Sequence, residues 1–260
     1  MNLLAFAQLS LLFCWTSVCL DEIGFMTETS FPLNIEDHSV DDMYSGCRTM
    51  TIIIVIFKFL KQEFKNFSSV WKKAEECANE NRENEMLTKI HRQAICVYTS
   101  SRNNFYKDFN KAVRTRRTDY GGSFPYHFLH FWLTDAVQIL NEEKKCYTTY
   151  RRSPEIFTGQ AGERIRFGGF ASSSKLSNLT DFGKETCFQI TTCLGAYLRD
   201  FSYFEEEEEV LIPPYEVFVI SEIDTSGDYI SDCKTVYDLQ YAGVQSDLNC
   251  YLVKNDTSDN

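Results

Sequence analysis

Residues 127–151 read HFLHFWLTDAVQILNEEKKCYTTYR, and the hydrophobic period changes inside this stretch. Up to Leu140 the apolar residues Phe128, Leu129, Trp132, Leu133, Ala136, Val137 and Leu140 recur at steps of three and four, which predicts one helix with one buried stripe. From Cys146 onward short β-like runs take over, separated by turn residues: Cys146–Arg151, Arg164–Phe167, Cys187–Cys193, Val210–Ile212, Tyr215–Glu222, Cys233–Leu239 and Leu248–Val253. Upstream, from about Met50, the texture is helical. The run Ile52–Phe57 with Leu60 suits a buried strand or a buried helix, and Lys58, Lys61 and Lys65 after it favour a helix that emerges into solvent. Thr118-Asp119-Tyr120-Gly121-Gly122 is a breaker before the last helix. Helices segregated before strands predict an α+β fold and argue against an alternating βαβ chain. The expected division is a leader at residues 1–20 and one domain at 21–260, mainly helical to 145 and mainly β over 146–254.

The chain has 260 residues, and its 43% hydrophobic content suffices for a full core. Thirty-seven acidic against twenty-six basic side chains leave a net charge of −11, which offers no electrostatic footprint for nucleic acid. The first twenty residues contain no charged side chain, Ser17-Val18-Cys19 is a small-residue cleavage pattern, and Asp21 and Glu22 follow. This reads as a signal peptide. Beyond Val253 there is only a polar tail, so neither a membrane span nor a lipid-anchor signal is expected, and the protein should be secreted and released. Sequons at Asn66, Asn178 and Asn255 agree with that route. Removing the leader leaves eight of ten cysteines, an even number that suits disulfides without choosing their partners. No C-x-x-C pair occurs and the four histidines have no zinc-ligand spacing, so no metal site is expected.

Three segments carry chemistry. Glu205–Glu209 is a run of five carboxylates, ordinarily a solvated loop, but it opens onto the apolar run Val210-Leu211-Ile212. As a strand it would set Glu207 and Glu209 side by side, a pair able to stabilise a developing cation and orient a second reactant. Arg166-Phe167-Gly168-Gly169-Phe170-Ala171-Ser172-Ser173-Ser174 reads as a Gly-Ser loop that a ligand could approach closely. In Tyr150-Arg151-Arg152 an arginine could grip a diphosphate or form a surface ion pair.

In this order the segments resemble the vertebrate arginine-specific ecto mono-ADP-ribosyltransferases. The resemblance begins at Asp41-Asp42-Met43-Tyr44-Ser45-Gly46-Cys47 and runs through Val97-Tyr98-Thr99, the segments Asp108–Arg114 and Phe128–Thr134, Tyr150-Arg151, and Phe170–Ser174. It continues through Thr192–Gly195 and Glu207–Glu216 to Asn249-Cys250, nearly the whole mature chain. It implies an NAD-binding β-core with helices packed on it, and transfer of ADP-ribose from NAD, a consumed substrate, to arginines of extracellular protein acceptors. No G-x-G-x-x-G follows a strand, which argues against a Rossmann dehydrogenase.

The resemblance assigns roles too. Glu209 would stabilise the oxocarbenium-like ribose, Ser172 would hold Glu209 and the nicotinamide ribose in register, and Arg151 would grip the phosphates. Glu207 would orient the acceptor guanidinium and draw off its proton. Tyr98, Ser174 and Ser202 carry over as further NAD contacts. Alternatives are an NAD glycohydrolase with little transfer and a non-catalytic binding protein on the same scaffold. Two positions depart from many relatives: Arg152 replaces a glycine and Gly169 a glutamine. The resemblance also implies disulfides Cys47–Cys250 and Cys146–Cys193, leaving Cys77, Cys96, Cys187 and Cys233 open.

Overall fold

The computed structural model describes residues 29–79, 86–100 and 105–256, so the leader read in residues 1–20 lies outside the described residues. The amino-terminal half is helical: α1 (Arg48–Ile54), a π-helical turn (Val55–Phe59), α2 (Leu60–Lys73), α3 (Glu75–Asn79), α4 (Lys89–Thr99), α5 (Phe105–Thr115) and α6 (His127–Leu140). The ambiguous run at Ile52–Phe57 is therefore helix, with Ile54, Val55 and Phe59 turned inward. The helix read over residues 127–140 has those bounds, but it carries more than one buried stripe. Every residue from His127 to Val137 is buried. Its ionisable side chains survive burial because each meets a partner, whereas Trp132 Nε1 and Thr134 Oγ1 are buried without one. Glu63 accepts the backbone N–H groups of His127 (2.8 Å) and Phe128 (2.9 Å), capping the positive end of the helix, and bonds the His127 ring at 2.7 Å. Asp135 holds Arg48 through both carboxylate oxygens and His91 at 2.7 Å.

The second half contributes nearly all the strands: β1 (Ser30–Pro32), β2 (Tyr147–Ser153), β3 (Ile156–Thr158), β4 (Arg164–Ile165), β5 (Ala171–Ser174), β6 (Thr186–Thr192), β7 (Ala196–Tyr197), β8 (Glu209–Ile212), β9 (Glu216–Asp224) and β10 (Thr235–Val244). β1 pairs with β3, and the other eight form one sheet in the order β4-β9-β10-β6-β2-β5-β8-β7. Only β10 and β6 run parallel; every other neighbouring pair in that sheet is antiparallel. Two readings change. Ala171–Ser174 is a strand rather than a Gly-Ser loop, because Ser173 gives its hydroxyl to the Val210 carbonyl and its backbone to β8. Leu248–Val253 is not extended: Tyr251–Asp256 forms α7, packed on α1.

One apolar cluster gathers the helices with Phe170, Leu198, Phe201 and Leu211 from the sheet side, and a second lies within the sheet around Phe188, Ile190, Ile220 and Leu239. Four disulfides join Cys47–Cys250, Cys77–Cys96, Cys146–Cys193 and Cys187–Cys233. The first closes a sequence separation of 203 residues, tying α1 to the start of α7. Each such link constrains the unfolded chain, worth roughly 2–4 kcal/mol.

Candidate active site

The sheet is at its weakest between β2 and β5, which pair at one position only, Tyr150 opposite Ser174. The Arg151 guanidinium bridges this break, with Nη1 donating to the Ser172 carbonyl at 2.7 Å. β5 then pairs with β8 along four positions, and Ser174 stands directly opposite Glu209. Directly opposed residues share a face, so Ser172, two along from Ser174, lies on the same face as Glu209. Its hydroxyl acts to lower the pKa of both Glu209 and the Tyr98 phenol. From the other side Ser202 Oγ donates to Glu209 Oε2 at 2.8 Å.

Glu209 is 6% exposed. Burial raises its pKa above the usual carboxylate range, and the two serine hydroxyls and the Arg151 charge oppose that rise. Arg151 and Arg114 make no ion pair among the described residues. Burial lowers the Arg151 pKa, and the nearby positive charge of Arg114 pushes the same way. Glu209 feels the Arg151 charge and Glu36 the Arg114 charge, yet neither carboxylate closes an ion pair with these arginines, which leaves two neighbouring cations that an anionic ligand would relieve. Behind them Asn110 Nδ2 donates to the Tyr98 hydroxyl at 3.0 Å, and Tyr98 donates to the Phe170 carbonyl at 2.9 Å. Asn110 Oδ1 is buried without a donor. Two cations beside a buried carboxylate suit a polar, anionic molecule.

Glu207 is held differently. Glu205–Glu207 forms a 3-10 turn and Glu208 takes a left-handed conformation at φ 44°, so the expected extended pair of carboxylates does not form. Only Glu209 is on the strand. A non-glycine residue in that conformation carries strain of roughly 1–2 kcal/mol, which three contacts from the end of β5 offset. Ser174 Oγ donates to the Glu207 carbonyl at 2.6 Å, the Lys175 N–H donates to the Glu208 carbonyl at 3.2 Å, and Lys175 Nζ reaches the Glu208 carboxylate at 3.0 Å. Lys175 Nζ also sits 4.1 Å from the centroid of the Tyr197 ring. The turn still brings Glu207 close to Glu209: burial first, then the charges of Glu209 and Glu206, raise the Glu207 pKa.

Residues 33–231 match the model of a family described as ART: NAD:arginine ADP-ribosyltransferase. The chain belongs to this family. It is 37% identical over 221 residues to the Bos taurus ecto-ADP-ribosyltransferase 5, covering 75% of this chain and 67% of that relative. It is 35% identical over 252 residues to the Mus musculus GPI-linked NAD(P)(+)–arginine ADP-ribosyltransferase 1, covering 88% of this chain and 75% of the relative. The fold superposes on a solved mutant of the eukaryotic mono-ADP-ribosyltransferase ART2.2 in complex with NADH, with TM-score 0.72, 29% identity, and coverage of 85% of this chain and 98% of that one. A second ART2.2 mutant, in complex with NAD, gives TM-score 0.69 at 29% identity and the same coverage.

In this arginine ADP-ribosyltransferase family member, Arg151, Ser172, Glu209, Tyr98 and Ser202 come together although they are scattered along the sequence. Ser202 is fully buried behind Glu209, and the Ser174 hydroxyl is engaged with the Glu207 carbonyl and the Leu176 N–H. Arg152 is engaged elsewhere: it pairs with Asp232 at 2.9 Å and donates to the Ser177 carbonyl at 2.7 Å. Arg166 is buried and structural, held by Asp41 at 2.7 Å and by backbone carbonyls of the amino-terminal segment. At Gly169 a Cβ would stand 3.1 Å from Asn110 Oδ1 and 3.2 Å from Arg114 Nη1, so those side chains use the room a larger residue would need. Sequence reasoning passed over Asn110, Arg114 and Lys175 as individuals. The available signal was the spacing of Asn110 and Arg114, one helical turn apart on α5. Among the described residues no group of three or more His, Cys, Asp or Glu is placed to hold a metal.

Proposed function

We propose that this chain transfers ADP-ribose from NAD to arginine side chains of protein acceptors and releases nicotinamide. The observation that carries the reading is the buried Glu209 carboxylate, held by the Ser202 hydroxyl with Ser172 and Arg151 beside it and Glu207 a short turn away. The bond between nicotinamide nitrogen and ribose C1′ breaks, and its electron pair leaves with the neutral nicotinamide. Positive charge builds on the ribose, and a fixed carboxylate stabilises that charge more than it stabilises the substrate. Glu209 performs this role. Ser172, steadied by Tyr98, and Ser202 hold it in place, so that its ionised form is ready although burial disfavours it.

Arg151 and Arg114 bind the diphosphate, relieving their mutual repulsion. A guanidinium attacks C1′ poorly because it is fully protonated, with a pKa above about 12. Glu207 orients it and accepts the proton lost as the new C–N bond forms, a task favoured by a pKa raised toward neutrality. Ser174 holds the backbone of the Glu207 turn.

We also infer passage through the secretory route. All eight cysteines of the described residues are paired, as expected of an oxidising compartment, and the sequon residue Asn178 is exposed. Both relatives described above bear names that fit this: an ecto enzyme and a GPI-linked one.

Purified protein given labelled NAD and a small guanidine acceptor tests the proposal. Nicotinamide release with label on the acceptor is expected. Release without acceptor label would make the chain an NAD glycohydrolase, and neither product would leave only a binding scaffold.

A further inference from the structure

The outer side of the helical run Arg48–Lys73 has no role in the chemistry above. Six basic residues stand here (Arg48, Lys58, Lys61, Lys65, Lys72 and Lys73) against one acid, Glu63, which is buried against the amino end of α6. The run is thus +5 in a chain of −11, leaving −16 for the remainder. Lys58, Lys61, Lys65, Lys72 and Lys73 are all exposed, and Lys61, Lys65, Lys72 and Lys73 make no ion pair among the described residues. Along the same run Met50 is 50% exposed, Ile53 46% and Phe57 83%. The steps from Met50 to Ile53, Phe57, Lys61 and Lys65 are three or four residues each, so these side chains form one outward stripe. Opposite them Val55, Phe59, Phe67 and Trp71 face the core.

We propose that this stripe docks the protein onto a membrane surface bearing anionic headgroups. Phe57, Ile53 and Met50 enter the boundary between headgroups and acyl chains, and the lysines lie against the headgroups. Apolar side chains beside lysines on one helix face suit that boundary, where each side chain type finds its own layer. A soluble polyanion would use the lysines but gain nothing from Phe57. The acidic remainder of the molecule is repelled by the same surface, which leaves this face to make the approach. The inference stands apart from the transferase reading.

The test is sedimentation of the purified chain with phosphatidylcholine vesicles, with and without phosphatidylserine. Binding at least about tenfold tighter to the anionic vesicles, and weakened by salt, is expected. Phe57→Ser, and separately Lys61→Glu with Lys65→Glu and Lys72→Glu, each reduce binding at least about fivefold, while circular dichroism and turnover of NAD in solution stay unchanged. A Phe57→Trp variant should gain a blue-shifted emission on meeting the vesicles. No sedimentation with anionic vesicles overturns the proposal. So does an unshifted emission, or binding that is indifferent to Phe57→Ser and abolished by heparin, which would assign the lysines to a polyanion.

Discussion

Glu209 and Glu207 are two residues apart, yet the molecule secures them by different means. Glu209 is a strand residue, and its position follows from the pairing of β8 with β5 and from the Ser202 hydroxyl beneath it. Glu207 is in a 3-10 turn, and its position follows from a strained residue, two bonds to backbone carbonyls and one half-exposed ion pair. The contrast matches the proposed chemistry. In that proposal the carboxylate facing the reacting sugar is fixed by strand pairing, where preorganisation is most effective, and the one meeting a protein acceptor is fixed by a turn.

The comparison breaks most sharply at Glu209. Glu209→Gln should lower nicotinamide release and acceptor labelling together, by roughly 10²–10³-fold, when both products are followed in one assay. Wild-type release should also fall on acidification at a pH above the ordinary carboxylate range, because burial raises the Glu209 pKa and the ionised form does the work. Glu207→Gln should cost labelling on the order of 10²-fold and leave release largely intact. Equal loss of both would show that the two glutamates do not divide the work. Arg114→Ala should raise the KM for NAD about tenfold without changing the KM of the acceptor, and an unchanged NAD KM would remove Arg114 from the site. The smallest effect belongs to Lys175→Met. A half-exposed ion pair contributes little, so the ratio of labelling to release should fall by no more than about fivefold, with Lys175→Arg restoring it. An unchanged ratio would mean that the turn holds Glu207 without this ion pair.

Much of the architecture is legible in local pattern. The stripe in residues 127–140 identifies α6, and the change of period after it separates the helical layer from the sheet. Where pattern fails, long-range pairing decides. Ser172-Ser173-Ser174 has loop composition, and it becomes strand because β8 supplies hydrogen-bond partners from 37 residues further on. Leu248–Val253 has strand composition, and it turns helical where the Cys47–Cys250 disulfide brings it against α1. Glu207 and Glu209 read as neighbours on a strand, and nothing in five identical residues shows that Glu208 takes the left-handed conformation. The second arginine was hidden for a similar reason: Arg114 reaches Gly169 across 55 positions, a separation no local pattern records.

Residue identity alone determined the order of helices and strands, the excess of acid, the even set of cysteines and which side chains could do chemistry, since each of these is a property of neighbours along the chain. Only the tertiary structure decided that Arg151, Ser172 and Glu209 meet, that Cys77 joins Cys96 and Cys187 joins Cys233, and that Arg152 and Arg166 serve the scaffold. The reason is register. A slip of one residue between β5 and β8 would turn Glu209 to the opposite face of the sheet, and what holds the register is the burial of Leu211 against the helices and of Ala171 and Ile212 within the sheet core.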